Sequence, residues 1–107
     1  MRILIVKTTS MGDVVHAVPV VEDIKRFISD AEIDWLVEDS FADIPRHVAG
    51  VSEVIECSVR KWKKRVFEKA TRDQIKALRE KLRSKHYDLV IDLQGPVSYT
   101  HLTLPTK

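Results

Sequence analysis

The sequence has few residues that cross-link the chain or interrupt helices and strands, with one cysteine, three glycines and four prolines in 107 residues. One cysteine excludes an internal disulfide. No apolar run approaches the roughly 18 residues that a membrane-spanning helix needs. The first apolar run, Ile3 to Val6, is followed at once by Lys7, which excludes a signal peptide. These absences predict a cytosolic protein, and the length suffices for one domain.

An excess of charge of one sign is also lacking, since 18 Lys and Arg face 16 Asp and Glu. Composition therefore gives no indication of a nucleic-acid partner. The cations are nevertheless clustered, and five lie within six residues, here called the basic segment (residues 60–65): Arg60, Lys61, Lys63, Lys64 and Arg65. A solvated helix face and a binding site for anions are equally good interpretations of this segment.

Short β-branched runs alternate with segments of helical periodicity. The predicted strands are 2–7, 33–38, 54–57 and 87–93, and the predicted helices are 14–28, 40–47, 62–70 and 71–85. This alternation predicts an α/β fold, a Rossmann-like doubly wound parallel sheet. In such a sheet the carboxyl ends of the strands meet at one edge, where functional groups gather. We expect residues 7–13, 38–39 and 92–95 at that edge.

Three features concern the ends of the predicted helices. Thr71 is expected to be the N-cap of the last helix, with Asp73 in its first turn. Asp39 and Ser40 are alternative caps for the helix at 40–47, and the sequence does not rank them. Pro19 either lies in the first turn of the main helix, after a short lead-in, or marks a kink.

The stretch "KTTSMGDVVHAVP" (residues 7–19) follows the first strand and lacks the glycine patterns of dinucleotide sites and P-loops. It therefore suits a sugar or a single phosphate better than a pyrophosphate. Gly12 is expected to permit close approach of a ligand to the backbone, or a positive φ. Thr9 and Ser10 offer hydroxyls to a ligand or are solvated turn residues. From the residues alone, Asp13 is favoured as a helix N-cap over a general base.

The residue pattern changes after Gly95, where "PVSYTHLTLPTK" shows no helical period. Residues Val97 to Thr106 can be back-translated into ten consecutive codons that resemble a transposon adapter used in DNA sequencing libraries. We therefore expect residues 1–95 to be an incomplete native domain and residues 96–107 to be a non-native tail. The alternative is an edge strand that ends in a Pro-terminated loop.

Four stretches carry a resemblance to a known family: "RILIVKTTSMGDVVHAVP" at the start, "IDWLVEDSFADIP" at 33–45, "RKWKKRVF" at 60–67 and "YDLVIDLQG" at 87–95. In this order they resemble the bacterial lipopolysaccharide heptosyltransferase I family, which are glycosyltransferases of family 9 with the two-domain GT-B architecture. The tail departs from that pattern. The resemblance implies a truncated N-terminal domain that holds the acceptor, with the donor-binding C-terminal domain absent.

The resemblance also implies a reaction, the transfer of heptose from ADP-heptose to Kdo of the lipid A inner core. On this basis Asp13 becomes the expected catalytic base, with Ser10 as the cap. The implied acceptor site consists of Thr9, Ser10, Gly12, Arg60, Lys63 and Lys64. The implied location is the cytoplasmic face of the inner membrane, whose anionic surface would attract the basic segment. No cofactor and no metal are expected, and the isolated chain is expected to be inactive.

Two other functions compete with this interpretation. One is a small α/β module that binds an anionic polymer through residues 60–65. A nucleic-acid partner is disfavoured because no aromatic platform or known nucleic-acid motif accompanies the segment. The other is a flavodoxin-like nucleotide-binding domain, which the missing glycine fingerprint disfavours.

Overall fold

A computed structural model describes residues 1–93 of the chain and contains one four-stranded sheet in the order β3-β2-β1-β4. The strands are β1 (Arg2–Val6), β2 (Glu32–Glu38), β3 (Val51–Cys57) and β4 (Leu89–Asp92). Every neighbouring pair of strands is parallel. The predicted α/β class with a parallel sheet is confirmed. The expected tail at 96–107 lies outside the described residues.

Four helices connect the strands: α1 (Met11–Phe27), α2 (Asp43–Arg46), α3 (Val59–Lys64) and α4 (Lys69–Ser84). A 3₁₀ turn at Asp39–Phe41 precedes α2. α1 follows β1, and α4 leads back to β4. Each β-to-β connection therefore crosses from the carboxyl edge of the sheet to its amino edge, as parallel pairing requires.

The two central strands, β1 and β2, are buried on both faces of the sheet, and the two faces have separate cores. The core on the α1 face contains Ile3, Ile5, Ile33, Trp35 and Val37 from the sheet and Val14, Ala17 and Val21 from α1. The core on the other face contains Leu4, Val6, Leu36 and Cys57 with Trp62, Leu78 and Leu82 from α3 and α4. Because alternate residues of a strand face opposite sides, a strand buried on both faces is a continuous apolar run.

Pro19 does not lie in the first turn of the main helix, which was one of its two expected positions. α1 is continuous from Met11 to Phe27, and Pro19 lies in its interior rather than in a first turn. Proline has no N–H to donate to the Val15 carbonyl four residues earlier. Both residues are exposed, so water can satisfy that carbonyl.

The predicted helix at 62–70 is wrong, because α3 ends at Lys64 and α4 begins at Lys69. The chain turns between them so that Trp62 packs into the core on the α4 side. The N-cap of α4 is Glu68, whereas Thr71 lies within the helix and is only 5% exposed. The expectations for Thr71 as the cap and for Asp73 in the first turn are therefore also wrong.

The helix expected at 40–47 is divided into the 3₁₀ turn and α2. The N-cap position of α2 is Ala42, so neither Asp39 nor Ser40 caps it. Asp39 instead accepts a hydrogen bond of 2.9 Å from Ser58 Oγ. A tertiary contact has replaced the local cap at this position.

Candidate functional site

The carboxyl edge of the sheet brings together residues 7–13, 38–39 and 92–93, as expected, while residues 94–95 lie outside the described range. The Lys7 Nζ donates to the Leu93 carbonyl at 3.2 Å, and the Glu38 backbone N–H donates to the Thr8 carbonyl at 3.1 Å. Neighbouring strands lie about 4.8 Å apart, so the ends of β1 and β3 are about 10 Å apart with β2 between them. The start of α1 and the start of α3 thus flank the end of β2.

Asp13 is the third residue of α1, and its side chain is exposed at this edge. Ser10 is the N-cap, as expected, and its backbone N–H donates to Asp13 Oδ2 at 3.5 Å. Glutamate usually makes this capping-box contact, and aspartate is one methylene shorter, which accounts for the long distance. Asp13 therefore contributes weakly to the cap and also presents a carboxylate to solvent.

The other residues expected near Asp13 have different degrees of exposure. Thr9 is half-buried, while Ser10 and Gly12 are exposed. Gly12 does not have a positive φ, so that expectation is wrong. A Cβ built on Gly12 meets no atom within 4 Å, which leaves the surface there open to a ligand.

The basic segment occupies α3 and the turn that follows it. The side chains of Arg60, Lys63 and Lys64 are exposed, together with those of Lys61 and Arg65. The Arg60 guanidinium lies 5.9 Å from the centre of the Phe41 ring, a cation–π distance. The start of α3 therefore packs against the turn that follows β2, next to the end of β1.

Trp62 fixes α3 to α4 from within the basic segment. Its side chain is 6% exposed and belongs to the core on the α4 face. Its Nε1 donates to Gln74 Oε1 at 2.8 Å, which satisfies the indole N–H. Trp62 thus packs in the core, and the cations on either side of it are exposed to solvent.

Glu38 is a functional candidate to which the sequence analysis assigned no role. It ends β2, is 3% exposed, and accepts hydrogen bonds from the backbone N–H groups of Val59 and Arg60. Within residues 1–93, its Oε1 has no hydrogen-bond partner. Burial, and next the charge of Asp39, raise the pKa of the Glu38 carboxyl. Glu38 thus fixes the start of α3. The sequence feature that could have identified it is an acidic residue directly after a mainly apolar strand.

A shallow groove of about 370 Å³ lies outside β3, against α3 and α4. Its walls include Ile55, Cys57 and Leu78, whereas the described residues that line it do not include Asp13. Burial raises the pKa of the Cys57 thiol to about 12, which suppresses the nucleophilic thiolate. Cys57 is therefore a small buried residue of the core on the α4 face, at 2% exposure.

Within residues 1–93, no group of three or more His, Cys, Asp or Glu side chains is placed to hold a metal ion. Within the same range, the helices are too short or too polar to cross a bilayer.

The chain is similar to curated proteins over part of their length. Lipopolysaccharide heptosyltransferase 1 of Escherichia coli O18:K1:H7 (strain RS218 / NMEC) is 47% identical over 97 residues, which cover 91% of this chain and 30% of that protein. The chain thus spans about 30% of the length of this relative. No protein-family model matches the chain.

The chain is also similar to solved structures of glycosyltransferases, again over part of their length. E. coli heptosyltransferase WaaC with ADP-2-deoxy-2-fluoro heptose matches with a TM-score of 0.90 and 46% identity, covering 96% of this chain and 33% of that one. A family 9 glycosyltransferase from Veillonella parvula DSM 2008 shares the fold, with a TM-score of 0.73 at 16% identity over 89% of this chain and 26% of that one. Neither match supports the alternative of a module for anionic polymers. By sequence and by fold, the chain is similar to about a third of the length of lipopolysaccharide heptosyltransferase 1.

Proposed function

We propose that the protein is an inverting glycosyltransferase that transfers heptose from ADP-heptose to Kdo of the lipid A inner core. This chain would form the acceptor-binding part. The observation that carries the proposal is 47% identity to a heptosyltransferase over 97 residues, a match that includes the edge with the Asp13 carboxylate. The donor follows from the WaaC relative, which was solved with an analogue of ADP-heptose.

Asp13 is proposed as the general base. An inverting transfer requires that the acceptor hydroxyl lose its proton while it attacks the anomeric carbon and ADP departs. The Asp13 side chain is exposed at the carboxyl edge, and its one described hydrogen bond is the long 3.5 Å contact to Ser10. A hydroxyl that approaches over the open surface at Gly12 would reach this carboxylate.

The basic segment is proposed to hold the anionic acceptor. Arg60, Lys63 and Lys64 project from α3 into solvent at the same edge, and Kdo carboxylates and lipid A phosphates are strong anions that Arg and Lys bind well. Thr9 and Ser10 would contribute hydrogen bonds next to Asp13. Because the acceptor is a membrane lipid, the proposed location is the cytoplasmic face of the inner membrane.

The test of the base uses the product of the full-length gene, with ADP-heptose and a Kdo-bearing lipid A acceptor. Asp13→Asn should lower kcat by about 10²- to 10⁴-fold, because the amide cannot accept the proton. Ser10→Ala is the matched control, since it weakens the same helix cap and leaves the carboxylate in place. Because Ser10 is itself proposed to contact the acceptor, Glu22→Gln, which neutralises an exposed carboxylate farther along α1, is the control outside the site and should keep the wild-type kcat. Wild-type kcat in Asp13→Asn excludes Asp13 as the base.

The test of the basic segment measures acceptor kinetics. Arg60→Gln, Lys63→Gln and Lys64→Gln should each raise the acceptor KM and leave the donor KM unchanged. Lys76→Gln, which changes an exposed cation in the middle of α4, is the control. Unchanged acceptor kinetics in all three variants would remove the basic segment from the site. The 107-residue chain alone should show no transfer, because the donor site is proposed to lie in the remaining part of the protein.

A further inference from the structure

The turn between α3 and α4 exposes two adjacent apolar side chains, Val66 and Phe67, here called the apolar tip. Val66 is 48% exposed and Phe67 is 91% exposed. The chain around them is closed by hydrogen bonds from the Arg65 N–H to the Lys61 carbonyl at 3.1 Å and from the Glu68 N–H to the Arg65 carbonyl at 3.0 Å. This closed turn leaves the tip outside both cores.

The apolar tip is held at the carboxyl edge of the sheet. α4 starts beside the tip and ends near the amino edge, where its C-cap residue Lys85 forms an ion pair with Glu53 of β3. The hydrogen bond between Trp62 and Gln74 fastens α3 to α4 just before and after the turn. The tip therefore projects from the same edge as Asp13.

Cations surround the apolar tip in the sequence. The basic segment precedes it, and Lys69 and Arg72 follow it. Within residues 1–93, Arg65 and Glu68 form an exposed ion pair at 4.0 Å, whereas Lys61, Lys63 and Lys64 have no acidic partner. Uncompensated cations beside exposed apolar side chains are the combination that binds an anionic lipid interface, where charges meet headgroups and apolar groups enter the acyl boundary.

We propose that Val66 and Phe67 insert into the surface of an anionic bilayer while the basic segment contacts its headgroups. The inference rests on the proposed function, because only a membrane-embedded acceptor requires the carboxyl edge to face a bilayer. Insertion would bring that edge to the level of the headgroups. A convex tip with an aliphatic residue beside the aromatic one fits an acyl boundary better than a stack of bases, which requires a flat platform.

A second exposed aromatic residue provides a matched control. Phe27 at the end of α1 is 83% exposed and has two cations beside it. Both cations are engaged, since the Lys25 Nζ donates to the Ala31 carbonyl at 2.8 Å and Arg26 lies 3.9 Å from Asp23. Phe27 therefore has the hydrophobicity of the tip without its free positive charge.

The experiment measures co-sedimentation of the 107-residue chain with vesicles of equal parts phosphatidylglycerol and phosphatidylcholine, and with vesicles of phosphatidylcholine alone. The wild type should bind the anionic vesicles more tightly. Phe67→Ser should lower the partition coefficient about tenfold, as expected for the lost transfer of a large apolar side chain, whereas Phe27→Ser should leave it unchanged. Lys63→Gln and Lys64→Gln should each lower it about fivefold.

Insertion itself is measured with Phe67→Trp. Brominated lipids should quench the emission of this variant more than that of the wild type, whose two tryptophans are buried, and Phe27→Trp should show no additional quenching. Circular dichroism confirms that each variant is folded. Wild-type partitioning of Phe67→Ser, or no additional quenching in Phe67→Trp, overturns the inference. Binding to single-stranded DNA without binding to vesicles would assign the surface to nucleic acid and also overturn it.

The vesicles contain no acceptor, so this result is independent of heptose transfer. Vesicle insertion with no transfer by the full-length protein would retain the tip and reject the proposed function. Normal transfer with no insertion would retain the proposed function and reject the role of the tip. In the full-length protein, Phe67→Ser should raise the KM for acceptor in vesicles and leave the KM for a deacylated, water-soluble acceptor unchanged.

Discussion

The Tyr87 Oη donates a hydrogen bond of 2.6 Å to Oδ2 of Asp34, a carboxylate that is 5% exposed on β2. The Lys85 Nζ lies 3.5 Å from the same oxygen. Burial, and next the bond to Asp34, raise the pKa of the Tyr87 phenol. The contact joins the segment before β4 to the centre of the sheet, so it fixes where the fourth strand is added.

Removal of this phenol should therefore destabilise the fold. We expect Tyr87→Phe to lower the free energy of unfolding by about 1–3 kcal/mol, because a buried carboxylate loses a hydrogen bond. Urea denaturation measures the effect, and a double-mutant cycle with Asp34→Ala, which removes the acceptor, isolates the pair. Additive effects of the two substitutions would contradict a direct contribution of the bond.

Glu53 should stabilise the protein only above acidic pH. Hydrogen bonds from Lys81 and Lys85 lower the pKa of its carboxyl. A folded-state pKa below the unfolded value contributes stability that is present above about pH 4.5 and is lost as the pH falls through the folded-state pKa. Because the Glu53 side chain is 36% exposed, solvent screening limits the effect of Glu53→Gln to about 0.5–1 kcal/mol near neutral pH.

Denaturation at neutral and at strongly acidic pH tests this dependence, with Glu80→Gln on the exposed side of α4 as the control. The destabilisation by Glu53→Gln should disappear at acidic pH and decrease in high salt. A loss of stability that is equal at both pH values would show that packing, not charge, is responsible.

Glu38 should have the opposite pH dependence. Its raised pKa means that the folded state favours the protonated carboxyl, so its contribution is complete below about pH 4.5 and is lost as the pH rises through the folded-state pKa. Glu38→Gln resembles the protonated form and should gain stability relative to the wild type as the pH rises. Thermal unfolding from pH 4 to pH 8 measures this trend, with Glu22→Gln as the exposed control. A constant difference across the range would refute it.

Cys57 should be almost inert toward thiol reagents in the folded protein. A pKa of about 12 leaves about one thiolate in 10⁴ at pH 8, whereas an unfolded cysteine is about one-quarter ionised. We expect the reaction with a disulfide reagent to be slower by at least about 10³-fold in buffer than in concentrated urea. Comparable rates in the two solvents would mean that the thiol is accessible in the folded chain.

The strands and the class of fold were predictable because buried parallel strands leave a plain pattern. Residues 2–7 and 33–38 are short runs in which apolar residues predominate, and both form strands with bounds within one residue of those predicted. The residues alone favoured Asp13 as the cap, which is wrong, because Ser10 is the N-cap and Asp13 is the third residue of α1. Ser10 was expected as the cap only on the basis of the resemblance. The position of Asp13 at the carboxyl edge followed from topology alone, since α1 comes directly after β1.

The errors occur where long-range contacts outweigh local preference. Thr71 has the chemistry of an N-cap, but burial of Trp62 forces a turn at 65–67 and starts α4 earlier. Asp39 bonds to Ser58 rather than to its own helix. The role of Glu38 was also missed, because its backbone donors, Val59 and Arg60, lie more than 20 positions away in the chain.

The amino-acid sequence alone was enough to predict the parallel α/β sheet, the carboxylate at the start of the first helix, the cationic stretch at 60–65 and the resemblance to heptosyltransferases. These features depend on residue type and short-range periodicity, which can be read directly from the sequence. The folded structure was needed to show that Glu38 holds the start of α3, that Trp62 holds the basic segment against α4, and that Phe67 projects beside it. Burial and direction depend on neighbours distant in sequence, and those neighbours meet only when the sheet has formed.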